Sequence, residues 1–202
     1  MIKNIIFDFG DVFINLDKQA TYKELAQLGV TEITQEMMET YYKYEMGLIT
    51  TDEFVGFFHD KFNLKKESLI DAWNAILLDF PLHRLDFLKE LAKKGNYRLF
   101  LLSNTNDLHI SWIQRDWGDK LYNEFKVCFE KFYLSHEINL RKPNTDIYEF
   151  VLNENDLVAE ETIFIDDTEE NIIAAEKLGI KVWNINPEKE DVVNLLDRSI
   201  FK

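Results

Sequence analysis

The chain has 202 residues, and its 37 acidic and 23 basic side chains leave a formal net charge of −14. That length predicts one domain, or one domain carrying an insertion, and seven glycines with three prolines exclude collagen, low-complexity linkers and most turn-dense all-β designs. The acidic balance argues against a basic nucleic-acid face and against docking on anionic membranes, so neither partner is expected.

In chain order, Ile2–Phe9 is a short apolar run ending in acid and glycine, the pattern of a buried parallel strand. From about Asp17 to Phe80 come four helical patterns without a strand: Lys18–Leu28, Gln35–Met46, Thr51–Phe62 and Glu67–Leu78. Gly29, Gly47 and Asn63 punctuate them. The interval is too long for a loop and reads as a helical cap inserted after strand one. Residues 1–16 and 81–202 then make the core domain, and 17–80 the cap. Leu85–Lys94 puts Leu85, Leu88, Leu91 and Ala92 on one helical face and is closed by Gly95. Arg98–Leu102 predicts a second strand, and Phe125–Leu134 holds a third. Asp146–Leu152 predicts a helix, Thr162–Ile165 a fourth strand, Glu169–Leu178 a helix closed by Gly179, and Lys181–Ile185 a fifth strand. Strands alternating with helices predict an α/β fold with a Rossmann-like parallel sheet; an ordinary α+β domain is the plainer alternative.

The lone cysteine, Cys128, excludes an intramolecular disulfide and lies in the apolar stretch Phe125–Phe129, so a buried structural thiol is expected. His59, His83, His109 and His136 show no ligand spacing and are expected to be structural or superficial. Asp8 interrupts the first apolar run too soon for a signal peptide. No apolar stretch of about 18 residues predicts a membrane span. The expectation is a cytoplasmic protein, monomeric or weakly dimeric.

Open parallel sheets bind ligands outside the carboxyl ends of their strands. Strand one delivers Asp8-Phe9-Gly10-Asp11-Val12, strand two Ser103-Asn104, and strand four Asp166-Asp167. Arg141-Lys142-Pro143 follows strand three. Carboxylates gathered this way are costly unless a cation sits among them, and hard carboxylate oxygens suit Mg²⁺. A carboxylate can also attack a phosphoryl group covalently. Lys142 and Ser103 would then hold the transferring oxygens.

These four stretches, in this order and with this insertion, resemble the haloacid dehalogenase superfamily of phosphohydrolases over essentially the whole chain. Phe7-Asp8-Phe9-Gly10-Asp11-Val12, Leu102-Ser103-Asn104, Arg141-Lys142-Pro143, and Phe164-Ile165-Asp166-Asp167 with Asn171 resemble its four motifs. Glu45-Met46-Gly47-Leu48-Ile49-Thr50 resembles a segment of its helical-cap class. Asp8-Phe9-Gly10-x-Val12 and Ala72-Trp73-Asn74-Ala75 look most like the sugar-phosphatase branch, which includes α-D-glucose-1-phosphate phosphatases and the phosphatase domain of soluble epoxide hydrolases. The resemblance implies a Mg²⁺-dependent phosphatase of a small phosphorylated metabolite. Asp8 would be nucleophile and metal ligand, with the Gly10 carbonyl and Asp167 as further ligands. Asp166 would act through water or on Lys142, with Asn171 in support. Ser103 and the Asn104 amide would hold the phosphoryl group, and Lys142 would pair with Asp8 and the phosphate.

The departure is Gly10, where most phosphatases of the family carry an aspartate as general acid and base. Such help is worth about 10²–10⁴-fold. Asp11 is one residue too late, because in an extended segment its side chain would leave the opposite face. The substrate can have an easy leaving group, another group can supply the proton, or turnover can be slow in a chain that mainly binds. Tyr41, Tyr42, Tyr44, Glu45, Trp73 and Asn74 are candidates for facing the cleft, although filling the helix core or surface is the plainer reading for each aromatic and the three tyrosines cannot share one helix face. A metal-independent dehalogenase on the same scaffold and a non-catalytic phosphate-binding module remain the alternatives. A response-regulator receiver fits less well, since its acidic pair follows strand one.

Overall fold

The computed structural model describes residues 1–201. Five strands form one parallel sheet in the order β3-β2-β1-β4-β5: β1 (Asn4–Phe7), β2 (Arg98–Ser103), β3 (Lys131–Leu134), β4 (Thr162–Asp166) and β5 (Lys181–Asn184). The fold class is therefore the α/β one that the alternation predicts. All four residues of β1 are buried, as a central strand covered on both faces requires. Ile5 pairs with Leu99 and Ile163, and Asn4 donates its side-chain amide to Thr162 Oγ1 at 3.1 Å, so even the polar start of the strand is satisfied.

Helices cover both faces. On one, Ile5, Phe7, Leu101 and Ile165 pack against Leu85, Leu88 and Leu91 of α5 (Leu82–Lys94) and Phe125 of α6 (Asp107–Lys126). On the other, Ile6, Phe100 and Phe164 meet Ile147, Tyr148 and Val151 of α8 (Thr145–Glu154) and Ala175 of α9 (Glu169–Glu176). The short α7 (Ser135–Ile138) leads out of β3.

The third strand occupies the end of the stretch Phe125–Leu134 expected to hold it. Phe125 and Lys126 close α6, and only Lys131–Leu134 pairs with β2. Helix α6 escapes the sequence reading because Gly118 (φ 74°, ψ 154°) interrupts it with a non-helical residue. Cys128 lies in the turn after α6 and is half-buried rather than sealed in a strand; its Sγ donates to the Glu124 carbonyl at 3.3 Å, and burial pushes the thiol pKa up.

Between β1 and α5 stand α1 (Ala20–Gln27), α2 (Gln35–Glu45), α3 (Thr51–Phe62) and α4 (Lys66–Asn74). They share their own apolar core, with Leu25, Met37, Tyr44, Phe54, Phe58 and Leu69 at its centre. Thr50 and Glu53 start α3 reciprocally: Thr50 Oγ1 accepts from the Glu53 N–H at 3.2 Å, and the Glu53 carboxylate accepts from the Thr50 N–H at 2.8 Å. Helix α4 ends at Asn74, four residues short of the expected Leu78, because the chain then pairs with its outgoing arm. Leu16 and Leu77 form an antiparallel bridge, flanked by Asp17 N–H to the Ile76 carbonyl at 2.9 Å and Leu78 N–H to the Asn15 carbonyl at 3.0 Å. Among the described residues no helix is long and apolar enough to cross a membrane.

Candidate active site

Asp8 is the first residue beyond β1, and its N–H still donates to the Ile165 carbonyl at 2.8 Å, so the sheet itself aims this side chain. Lys142 reaches it from the loop between α7 and α8. The Lys142 Nζ lies 2.8 Å from Asp8 Oδ1, 2.7 Å from Asp166 Oδ2 and 2.9 Å from the Leu102 carbonyl, so all three ammonium donors are used. Asn104 holds the lysine's backbone from both sides: its Nδ2 donates to the Lys142 carbonyl and its Oδ1 accepts from the Lys142 N–H, each at 2.9 Å. The side chains of Lys142 and Asp166 are fully buried. Asp166 also accepts from the Thr168 N–H at 2.8 Å and from Asn171 Nδ2 at 3.0 Å. It thus acts on Lys142 directly rather than presenting itself to solvent.

One oxygen each of Asp8, Asp166 and Asp167 fall within 4.8 Å of one another. Burial pushes the Asp8 carboxyl up to about 7; Lys142 opposes this and Asp166 adds to it. Burial also raises Asp167, against the pull of Lys18. Three hard oxygens, two of them on carboxylates that their surroundings disfavour as anions, are a donor set suited to a divalent cation such as Mg²⁺. Asp8 and Asp167 line the cleft, whereas the oxygens of Asp166 are occupied by Lys142, Asn171 and Thr168.

The cleft measures about 280 Å³, and Asp8, Gly10, Ser103, Asn104, Lys142 and Asp167 all line it. The expected site residues therefore converge. At Gly10 an added Cβ would lie 2.7 Å from Leu16 Cδ1, so Leu16 occupies the space a side chain there would need. Asp11 is not in an extended segment: its φ is +55°, and its carboxylate turns back to accept from the Leu16 N–H at 3.0 Å and to pair with Lys18 at 3.1 Å.

A model of the haloacid dehalogenase-like hydrolase family matches residues 5–185. The chain belongs to that family. A D-ribitol-5-phosphate phosphatase of Bacteroides thetaiotaomicron is 30% identical over 190 residues, 91% of each chain. A magnesium complex of a haloacid dehalogenase family enzyme from the same organism superposes with a TM-score of 0.85 at 32% identity, covering 98% of this chain and 99% of that one. A predicted hydrolase of this type from Porphyromonas gingivalis gives 0.86 at 28% identity, covering 100% and 99%.

Within this hydrolase the insertion contributes only part of what its sequence suggests. Tyr41 and Glu45 line the cleft. The Glu45 carboxylate is buried, accepts from the Tyr41 hydroxyl, and pairs with Arg141 Nε at 2.7 Å. Arg141, a candidate for local positive charge, is thereby neutralised and lies over the Tyr42 ring at 4.2 Å. Tyr44 turns into the insertion core, stacked on Phe54 at 4.3 Å, and Asn74 is buried with its Oδ1 unpartnered. Trp73 also packs in that core. Two contributors carry no sequence signal: Lys18, which binds Asp167 and Asp11 from the outgoing arm, and His109, brought to the wall by α6. Neither sits beside a motif or on a periodic face, so only tertiary packing reveals them.

Proposed function

We propose that this hydrolase is a Mg²⁺-dependent phosphatase of a small phosphorylated metabolite, acting through an aspartyl-phosphate on Asp8. The observation that carries this reading is Asp8 itself: a carboxylate at the cleft wall, aimed by the central strand, with one oxygen held by a fully buried lysine. The similarity to a D-ribitol-5-phosphate phosphatase supports the reaction class. Asp8 and Asp167, with the Gly10 carbonyl, would hold the cation; when bound it offsets the charge of substrate and carboxylates and polarises the phosphoryl group.

The oxygen of Asp8 that Lys142 leaves free would attack phosphorus, forming the acyl phosphate as the ester P–O bond breaks and the leaving oxygen departs, taking its proton from water. Lys142 neutralises charge on Asp8 and on the phosphoryl oxygens. Ser103 and the Asn104 amide would hold that group, and water then cleaves the acyl phosphate. Asp166 and Asn171 position Lys142, and Asn104 fixes its backbone. The helical insertion would act as the cap over the cleft.

Turnover of p-nitrophenyl phosphate with and without Mg²⁺ tests the reading, because this leaving group needs little protonation and Gly10 does not mask it. We expect metal-dependent turnover that Asp8→Asn lowers by at least about 10³-fold. Metal-independent turnover, or none, would overturn the proposal.

A further inference from the structure

Beside the cleft, within the helical insertion, lies a second cavity of about 120 Å³. Leu25, Met37, Met38, Phe58, Trp73 and Ile76 are among the residues that line it. Lys18, Tyr41, Ile76 and His109 line both cavities, so the two share a partition and border each other.

Most polar groups on this wall are already engaged; the exception is the Trp73 indole N–H, which is buried without a partner. The Thr21 hydroxyl donates to the Trp73 carbonyl at 3.2 Å, and His109 Nε2 lies 3.3 Å from the same oxygen. The Tyr41 hydroxyl is given to Glu45, and the Lys18 ammonium to Asp11 and Asp167. Tyr22 is exposed. Burial lowers the His109 pKa to about 4, which leaves the ring neutral near neutral pH. A polyol reaching into this cavity would lose water from several hydroxyls and find at most the Trp73 indole N–H in exchange. A hydrocarbon group would lose nothing of the kind.

We infer that this cavity is a subsite for an apolar portion of the substrate's alcohol, so that the substrate is the phosphomonoester of an amphiphilic alcohol, polar next to phosphorus and hydrocarbon beyond. This rests on the phosphatase reading. An apolar cavity of about 150 Å³ accepts benzene, so the space here suits a branch or ring of about that size.

Calorimetric titration of the Mg²⁺-loaded protein with ethylphosphonate and hexylphosphonate reads the cavity without any turnover. Hexylphosphonate is expected to bind at least about 10-fold more tightly, with a negative heat-capacity change. The kcat/KM ratio of hexyl to ethyl phosphate should follow the same preference. Met38→Trp, which fills the cavity, should bring both ratios toward one, with circular dichroism confirming its fold. Equal affinity of the two phosphonates overturns the inference, as does a higher kcat/KM for ribitol 5-phosphate than for hexyl phosphate. If p-nitrophenyl phosphate is hydrolysed while either result is found, the subsite alone falls. If no ester is hydrolysed, the phosphatase reading falls with it.

Discussion

Lys142 is a buried cation between two carboxylates, and its removal leaves both without a counter-charge. Lys142→Met is expected to destabilise the protein by about 3–5 kcal/mol, read by urea unfolding, and to abolish turnover. Asp8 behaves in the opposite sense. Its carboxyl, near 3.8 in an unfolded chain, is pushed up to about 7 by burial. A raised carboxyl favours the fold below the unfolded value, and that advantage is lost as pH rises through about 7. Asp8→Asn should therefore raise the unfolding midpoint of the metal-free protein most at pH 8, less at pH 5, and have little effect only below about pH 3.8. At Gly10 an added Cβ would meet only the far end of the flexible Leu16 side chain, which can turn aside. We expect Gly10→Asp to raise turnover of a poor leaving-group ester by supplying a proton donor; kcat for an alkyl phosphate decides. Asp8, Ser103, Lys142, Asp166 and Asp167 were legible because each stands at a strand end or before a Lys-Pro step, where local pattern and position coincide. Asp11 was read as part of an extended segment, whereas its φ of +55° and its bond to the Leu16 N–H place it in a turn.

One line of contacts fastening the insertion to the core runs from its second helix to the segment after β3. Ser135 Oγ donates to the Glu45 carbonyl at 2.6 Å, Asn139 Nδ2 to the Met46 carbonyl at 2.7 Å, and Arg141 pairs with Glu45. Gly47 completes the line: its φ is +64°, and a Cβ there would lie 2.0 Å from the His136 carbonyl oxygen. Gly47→Ala must push these elements apart, and should lower the unfolding midpoint and increase proteolysis at residues 46–50, with loss of affinity for hexylphosphonate as a further readout. The helices of the insertion were legible one by one, since Gly29, Gly47 and Asn63 end them. Their faces were not, because Tyr41 and Tyr44 separate into cleft and core only once α2 meets α3 and α7. Helix α6 was hidden by Gly118, and its last residues Phe125 and Lys126 fall inside the stretch Phe125–Leu134 that was read as holding a strand.

Across the whole molecule, a net charge of −14 repels an anionic substrate, whereas the attraction that holds it is confined to the site. Salt screens the exposed charges far more than the buried cluster. KM for p-nitrophenyl phosphate should accordingly fall as NaCl rises from about 10 to 150 mM, where the Debye length shrinks from about 30 to 8 Å. Chelating the metal should abolish binding of inorganic phosphate in the same titration cell. The antiparallel bridge between Leu16 and Leu77 has an effect of another kind. Because the outgoing and returning arms are neighbours, the sheet meets the whole helical segment as it would meet a hairpin loop, with a gap of one strand spacing to close. Lengthening or replacing what lies beyond the bridge adds little closure entropy to the sheet. The segment can therefore diversify, open or unfold locally while the catalytic strand ends keep their registration, so that what the enzyme recognises can change without changing how it reacts.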